Sequence, residues 1–149
     1  MSGYDLTREY PVPIELVWRA LTEADLVAAW TVTGQGAKPV GFQPTVGTRF
    51  QFVGKPTLGW NGVVDCEVIE IQQPTLLRFS WRSGPDGDVT TVTCSLDATR
   101  GGTRLRWRHA GFSGIGGLLV SRILCSVRKK MLDVGLPPVL HRLATGALT

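Results

Sequence analysis

The architecture depends on the segment Gly114–Leu148, GIGGLLVSRILCSVRKKMLDVGLPPVLHRLATGAL. Its apolar residues recur at steps of three and four, the spacing that places side chains on one face of an α-helix. The residues on this predicted face are Ile115, Leu119, Ile123, Val127, Met131 and Val134, whereas Arg122, Ser126, Lys129, Lys130 and Asp133 are predicted to lie mostly toward water. Twenty helical residues span about 30 Å. The segment therefore predicts a long helix that covers a small sheet.

Gly135, Pro137 and Pro138 interrupt this helical pattern. Proline lacks the backbone N–H, and its ring clashes with the preceding turn of a helix. We therefore expect a break at these residues, followed by a second helix from Pro138 to Leu148.

In residues 48–109, apolar and polar side chains alternate, and this pattern predicts short strands. Turn sequences separate these strands, among them SGPDGD and RGG. Consecutive strands joined by short turns favour an antiparallel meander with one face toward the core.

The first 43 residues predict a strand, two helices and an edge strand. The first strand is expected over 5–11, the first helix from Pro13 onward and the second from Thr22 to about Trp30, with a loop over 31–37 and an edge strand over 40–43. This order favours an α+β fold in which a curved antiparallel sheet of six to seven strands wraps around the C-terminal helix. The short helix pair after the first strand closes one end.

Length and composition indicate a globular protein with one core. At 149 residues, 43% of them hydrophobic, the chain is long enough to bury a core, and we expect residues 1–149 to form a single domain. No apolar run is long enough to cross a membrane, so no integral membrane association is expected. The first ten residues lack the apolar segment of a secretion signal, and the three cysteines are widely spaced. These features favour a cytoplasmic protein, either a monomer or a weak homodimer.

The sequence contains no motif of metal or cofactor binding. Its two histidines lie 32 residues apart, and neither a nucleophile elbow nor a phosphate-binding loop is present, so no metal and no cofactor are expected. The net charge is +4, and basic residues cluster on the outer face of the last hairpin (Arg100, Arg104, Arg106 and Arg108) and on the long helix (Arg122, Arg128, Lys129 and Lys130). Both clusters are predicted to be solvated. Without interleaved aromatic residues they do not favour nucleic acid, although the outer face offers a surface for a protein partner.

Four strings resemble a known family: REYPVPIELVWRALTEADLVAAW, VGTRFQF, GWNGVVDCEVIEIQQPTLLRFSW and GGTRLRWRHAGF. They are similar to the bacterial family related to the activator of the heat-shock-protein-90 ATPase, and the resemblance extends from Leu6 to Leu143. This family belongs to the START-like, helix-grip superfamily, which includes polyketide cyclases and the birch pollen allergen. A Gly-Trp pair often begins its final helix, where this chain has Gly135 and Leu136. The resemblance implies a START-like helix-grip fold.

The aromatic residues predicted to face inward either line a cavity or fill a core, and the residues alone leave both readings open. Helix-grip proteins usually keep a cavity between sheet and helix, so the resemblance implies a site for a lipid-like or polyketide-like apolar or aromatic molecule. The candidate cavity-lining residues are Phe50, Phe52, Trp60, Val64, Cys66, Phe79, Trp81, Val92, Cys94, Leu105, Trp107, His109, Phe112, Ile123 and Val127.

His109 is the polar ring predicted to face inward. It either contacts a ligand or bonds the backbone at the end of the last strand, and we favour the second role. Arg8 either places a cation in the cavity or pairs with an acid such as Glu67 on a neighbouring strand. Cys66 and Cys94 are predicted to be buried as small apolar residues.

Two other functions remain open. The resemblance also implies a co-chaperone-like protein-interaction module that uses the outer face of the sheet. An enzyme of the cyclase or hydratase kind would use His109 as a general acid or base, because a histidine titrates near neutral pH. No residue is assigned a catalytic role by its sequence context.

Overall fold

The computed structural model describes residues 2–35, 37–58, 60–83 and 87–147. The strands are β1 (Ser2–Tyr10), β2 (Lys38–Val40), β3 (Arg49–Val53), β4 (Val63–Gln72), β5 (Leu76–Ser83), β6 (Thr90–Thr99) and β7 (Gly102–Phe112). The helices are α1 (Ile14–Thr22), α2 (Ala24–Gln35), α3 (Gly114–Lys130) and α4 (Leu136–Ala144), and a π-helical turn, Met131–Gly135, connects α3 to α4.

The seven strands form one antiparallel sheet in the order β1-β7-β6-β5-β4-β3-β2. Strands β2 to β7 are neighbours in chain order, as expected for a meander, and β1 returns to pair with β7. The curved sheet holds α3, the π turn and α4 on its concave side, with α1 and α2 at one end. The predicted α+β helix-grip architecture is confirmed.

Strand β7 shows how alternation in the sequence builds the two faces of the sheet. Leu105, Trp107 and His109 are buried, whereas the arginines between them are exposed. The outer arginines face acids on β1, and Arg106 Nη2 lies 2.6 Å from Asp5 Oδ2. The apolar side chains therefore form the core, and the charges remain on the convex side.

Helix α3 turns only part of the predicted face toward the sheet, where Met131 is buried and Val127 is half-buried against the core. Ile115 and Leu119 are 81% and 57% exposed, and Ile123 and Val134 are exposed as well. The side that packs inward carries Ser121, Leu124, Cys125 and Arg128, and continues through Met131, Leu132 and Leu136. This inward side is also spaced at three and four residues, but it includes a serine and an arginine, so the apolar pattern predicted a face that only partly overlaps the buried one.

The predicted break at Gly135 and the two prolines is absent. The helix continues through the π turn, in which the Leu136 N–H donates to the Met131 carbonyl five residues earlier. Pro137 has no N–H to donate to the Leu132 carbonyl, and the buried Tyr10 hydroxyl donates to that oxygen instead, at 2.8 Å. The π turn and Tyr10 thus accommodate the prolines, and α4 begins at Leu136 and ends at Ala144, whereas the predicted end, Leu148, lies outside the described residues.

Helix α2 extends to Gln35, five residues beyond its predicted end at Trp30, and occupies most of the predicted loop. The polar residues that suggested a loop are hydrogen-bonded inside the structure. The Thr33 hydroxyl donates to the Trp30 carbonyl at 2.6 Å, and the buried Thr31 hydroxyl donates to the Ala37 carbonyl at 2.9 Å. The edge strand is β2, Lys38–Val40, slightly earlier than expected.

Candidate functional site

A cleft of about 350 Å³ opens between α3 and the sheet. We call it the α3 cleft, and its wall consists of Thr31, Ala37, Phe52, Thr57, Leu58, Trp60, Val64, Trp81, Ser83, Val120, Ile123, Leu124, Val127, Arg128 and Met131. Its volume lies at the lower end of the range of about 300–1,000 Å³ for small-molecule pockets. Most of the wall is apolar, with a few hydroxyl groups and one guanidinium group.

The fifteen predicted lining residues divide between the cleft and the packed core. Six of them form part of the wall of the α3 cleft: Phe52, Trp60, Val64, Trp81, Ile123 and Val127. Four others, Phe50, Phe79, Cys94 and Trp107, surround a separate void of about 20 Å³, which is too small for an organic ligand. The remaining five, Cys66, Val92, Leu105, His109 and Phe112, are buried outside both spaces.

The inner aromatic residues fill the core because their rings pack edge to face. Phe79 lies 5.6 Å from Phe50 and 6.4 Å from Trp107, measured between ring centroids, and Trp107 lies 6.0 Å from Trp30. Such pairs add to the stabilisation from burial. The packed-core reading therefore holds for these rings, whereas Phe52, Trp60 and Trp81 lie on the wall of the α3 cleft.

Arg128 provides the charge on the wall of the cleft. Its guanidinium carbon lies 4.2 Å from the ring centroid of Trp107 and 5.8 Å from that of Trp81, both within cation–π range. The residue is only 4% exposed, and no carboxylate among the described residues lies within 4 Å of its side-chain nitrogens. An arginine that was predicted to lie in solvent is thus a buried cation without a counter-ion in the described part of the chain.

Two buried N–H groups at this place, Arg128 Nε and Trp107 Nε1, make no well-formed hydrogen bond among the described residues, although both side chains interact with the Tyr4 hydroxyl. Arg128 Nη1 donates to the Met131 sulfur at 3.1 Å, and a thioether is a weak acceptor. By contrast, the indole N–H of Trp81 donates to the Ser83 hydroxyl at 3.3 Å. Buried donors are normally paired, so this polar corner, where Arg128 of the cleft wall meets Trp107 of the packed core, has more donors than well-placed acceptors.

His109 lies behind this corner and is completely buried. Its Nε2 is 2.7 Å from the Thr90 hydroxyl, and its Nδ1 is 3.3 Å from the Tyr4 hydroxyl. The Thr90 hydroxyl donates its single proton to the Trp81 carbonyl, so Nε2 must carry the proton that it donates to Thr90. Nδ1 then accepts from Tyr4. His109 is therefore held as a neutral ring by two side chains, rather than by the backbone partner expected from the sequence.

Burial and, after it, the Arg128 charge together lower the pKa of His109 to about 3. Burial also raises the pKa of the Tyr4 hydroxyl, although the neighbouring Arg128 partly opposes this rise. A general acid or base works best with a pKa near the operating pH. The geometry of His109, with both nitrogens bonded inside the protein, does not favour the catalytic role that was considered for it.

Arg8 and the cysteines have structural contacts instead of contacts with the cleft. Arg8 pairs with Asp133 at 2.6 Å, so its acid partner lies on the π turn and not on a neighbouring strand. Cys66, Cys94 and Cys125 are free thiols. Burial raises the pKa of Cys66 and raises that of Cys94 to about 12, so neither is an activated nucleophile at neutral pH.

Sequence reasoning missed two residues at the polar corner, Arg128 and Tyr4. Tyr4 alternates with the buried Leu6 along β1, so period two places it on the inner face. Arg128 is seven residues after Ser121 and four after Leu124, which places these three residues on one side of α3. That spacing could have indicated that Arg128 faces inward. Charged residues are so rarely buried, however, that composition favours the opposite orientation.

Other kinds of site are not found in the described part of the chain. No group of three or more His, Cys, Asp or Glu residues among the described residues has the geometry of a metal site. No helix in the same residues is long and apolar enough to cross a membrane.

Comparisons with known proteins agree with this architecture. Protein MLL2253 from Mesorhizobium loti is 27% identical, with a TM-score of 0.80 over 93% of this chain and 96% of that one. Protein BH1534 from Bacillus halodurans is 19% identical, with a TM-score of 0.71 over 94% and 97% of the two chains. Protein Ms6760 from Mycobacterium smegmatis is 15% identical, with a TM-score of 0.73 over 87% and 85%. The last two, at these identities, show a shared fold alone.

No protein of curated function matches the sequence. Residues 11–126 match the sequence profile of a family described as Activator of Hsp90 ATPase homolog 1-like protein. This match covers most of the chain, from the start of α1 into α3. The resemblance noted in the sequence is thus confirmed, and the chain belongs to the Activator of Hsp90 ATPase homolog 1-like family.

Proposed function

We propose that this protein binds an apolar or aromatic small molecule in the α3 cleft. The observation that carries the proposal is the cleft itself, which has aromatic side chains from the sheet on one wall and aliphatic side chains from α3 on the other. Phe52, Trp60 and Trp81 form the aromatic wall, facing Leu124 and Val127. A concave, mostly apolar surface with a few polar groups is typical of a small-molecule site.

The rim of the cleft supports the same proposal. Leu58 is fully exposed, and Val120 and Ile123 on α3 are 42% and 57% exposed. All three belong to the wall of the cleft. A ligand that covers apolar side chains grouped at an opening gains binding free energy, because burial removes apolar surface from water.

The neutral fluorophore N-phenyl-1-naphthylamine tests this proposal, because its emission rises in apolar surroundings. We expect a saturable rise with the wild-type protein and no such rise with Val127→Trp, in which the larger side chain occupies the cleft. Leu119→Trp is the matched control: it adds the same ring to the exposed side of α3. The proposal fails if the wild type gives no saturable signal or if the two variants bind equally well.

A further inference from the structure

We propose that the ligand of the α3 cleft carries a single carboxylate, which pairs with Arg128 while the apolar remainder lies between α3 and the aromatic wall. This inference rests on the proposed function and specifies the chemical class of the ligand: an amphipathic monocarboxylic acid. It adds a polar subsite to a cleft that is otherwise apolar.

The first argument is the missing counter-ion. Arg128 is 4% exposed, and no described acid lies within ion-pair distance of it. A buried charge without a partner is costly, and the two tryptophan faces and the Met131 sulfur replace a carboxylate only weakly. An anion supplied by a ligand would complete the pair.

The second argument is the surplus of donors. Arg128 Nε and Trp107 Nε1 are both buried and make no well-formed hydrogen bond among the described residues, and Arg128 is the one of the two that belongs to the wall of the cleft. Behind them, the Tyr4 hydroxyl donates to His109 Nδ1, at 3.3 Å, and its oxygen interacts with both Arg128 and Trp107, so a single oxygen serves two buried donor groups. The unmet need at this corner is therefore for acceptors, and an ionised carboxylate offers only acceptors.

The third argument is the nature of the cation. A guanidinium group presents paired N–H groups that match the two oxygens of a carboxylate. Among the described residues that form the wall of the cleft, Arg128 is the only charged one, so a single negative charge on the ligand balances it. Burial shields such a pair from salt, so the preference for an anion should persist when the ionic strength is raised.

Three probes with the same chain test the inference: octanoate, octan-1-ol and octylamine. We expect the wild type to bind octanoate about 10- to 100-fold more tightly than octan-1-ol, the ratio expected for hydrogen bonds to a charged group. Octylamine should bind most weakly, because it places a second cation beside the first. Isothermal titration calorimetry at neutral pH measures all three dissociation constants.

Arg128→Met should remove the preference for octanoate while it leaves octan-1-ol binding intact. Lys129→Met is the matched control, because it removes the same charge from an exposed neighbour on α3 and should keep the preference. Binding of N-phenyl-1-naphthylamine shows whether the Arg128→Met cleft is folded, and the comparison of probes on the wild type requires no variant. Equal binding of octanoate and octan-1-ol by the wild type, or a preference that survives Arg128→Met, overturns the inference alone. No binding of either octyl probe or of the fluorophore overturns the proposed function with it.

Discussion

A buried neutral histidine makes the folded state of this protein sensitive to acid. Desolvation, followed by the charge of Arg128, lowers the pKa of His109 from 6.5 to about 3 in the folded chain. Between these two values the unfolded chain binds a proton that the folded chain does not. The free energy of unfolding therefore rises with pH across this window. It falls by up to about 1.4 kcal/mol for each pH unit of acidification.

His109→Gln tests this linkage, because an amide can keep one hydrogen bond but does not titrate. At pH 7 we expect the variant to be less stable by roughly 1–3 kcal/mol, the cost of an unmade buried hydrogen bond. Between pH 6.5 and 5 it should lose about 1.6 kcal/mol less than the wild type, since it lacks the shifted group. Urea unfolding followed by tryptophan fluorescence gives the free energy of unfolding at each pH. His141→Gln makes the same chemical change at an exposed site and serves as the matched control. Parallel curves for the wild type and His109→Gln would show that His109 is not the group responsible.

The residues of the polar corner show the limit of prediction from sequence at this scale. The inward direction of His109 was predicted from alternation along β7, and it is completely buried. Its partners Thr90 and Tyr4 come from two other strands, β6 and β1, and become adjacent to it only in the paired sheet. The role of such a residue depends on contacts across strands, which no local pattern specifies.

At the scale of elements, the strands were easier to predict than the faces and ends of the helices. Alternation with period two assigns a face to every residue of a strand, and burial in β7 follows it. In α3, two stripes with helical spacing compete, and the inward one contains Ser121 and Arg128. Counting apolar residues favours the other stripe, because it takes no account of a cation that is stabilised by aromatic faces.

Continuity from α3 to α4 depends on contacts that are distant in the sequence. The prolines predict a break, yet Tyr10, on the first strand, bonds the Leu132 carbonyl. The Arg8–Asp133 pair likewise connects β1 to the π turn. Tertiary contacts thus override the local signal, which explains why the predicted helix boundary was wrong.

Close packing of the π turn against α2 gives a prediction at this scale. A Cβ atom at Gly135 would overlap the Thr33 hydroxyl and lie 2.5 Å from the Trp30 carbonyl oxygen. Because a backbone carbonyl cannot easily move away, Gly135→Ala should lower the free energy of unfolding by about 1–3 kcal/mol, the usual cost of overpacking. Denaturant unfolding measures this change.

Gly116→Ala in α3 is the matched control for that measurement. A Cβ atom there meets nothing within 4 Å, so the same substitution should be neutral or stabilise the protein by up to about 1 kcal/mol, the helix propensity of alanine over glycine. If Gly135→Ala proves as stable as Gly116→Ala, the π turn and α2 do not pack as closely as the structure shows.

For the whole molecule, the fold was predictable because the order of elements and the resemblance agreed on one architecture. The location of the cleft was less so. The inward rings form one continuous set along the sheet, and only the position of α3 separates those that face the cleft, such as Trp81, from those in the packed core, such as Phe79. The position of a helix over a sheet is determined by side-chain packing, which periodicity does not specify.

The convex face of the sheet bears on the co-chaperone alternative. Arg104, Arg106 and Arg108 are about half exposed, and each lies within 4 Å of Asp5 or Glu9 on β1. These acids partly neutralise the arginines, which weakens the positive field that would attract an oppositely charged partner. The charge distribution of this face does not favour an acidic protein partner.

We therefore expect this protein to leave the ATPase rate of a bacterial heat-shock-protein-90 homologue unchanged, even in molar excess. Steady-state ATP hydrolysis measures the rate, with and without the protein. The control is the double variant Arg104→Glu and Arg106→Glu, which reverses the charge of the face and breaks its pairs with β1. Exposed ion pairs contribute about 0–1 kcal/mol each, so this variant should stay folded. A several-fold stimulation by the wild type that the double variant abolishes would contradict the expectation and favour the interaction module. Equal stimulation by the wild type and the double variant would also contradict it, and would show that the contact does not involve these arginines. The exposed apolar side of α3, which includes Ile115 and Leu119, would then be the next surface to mutate.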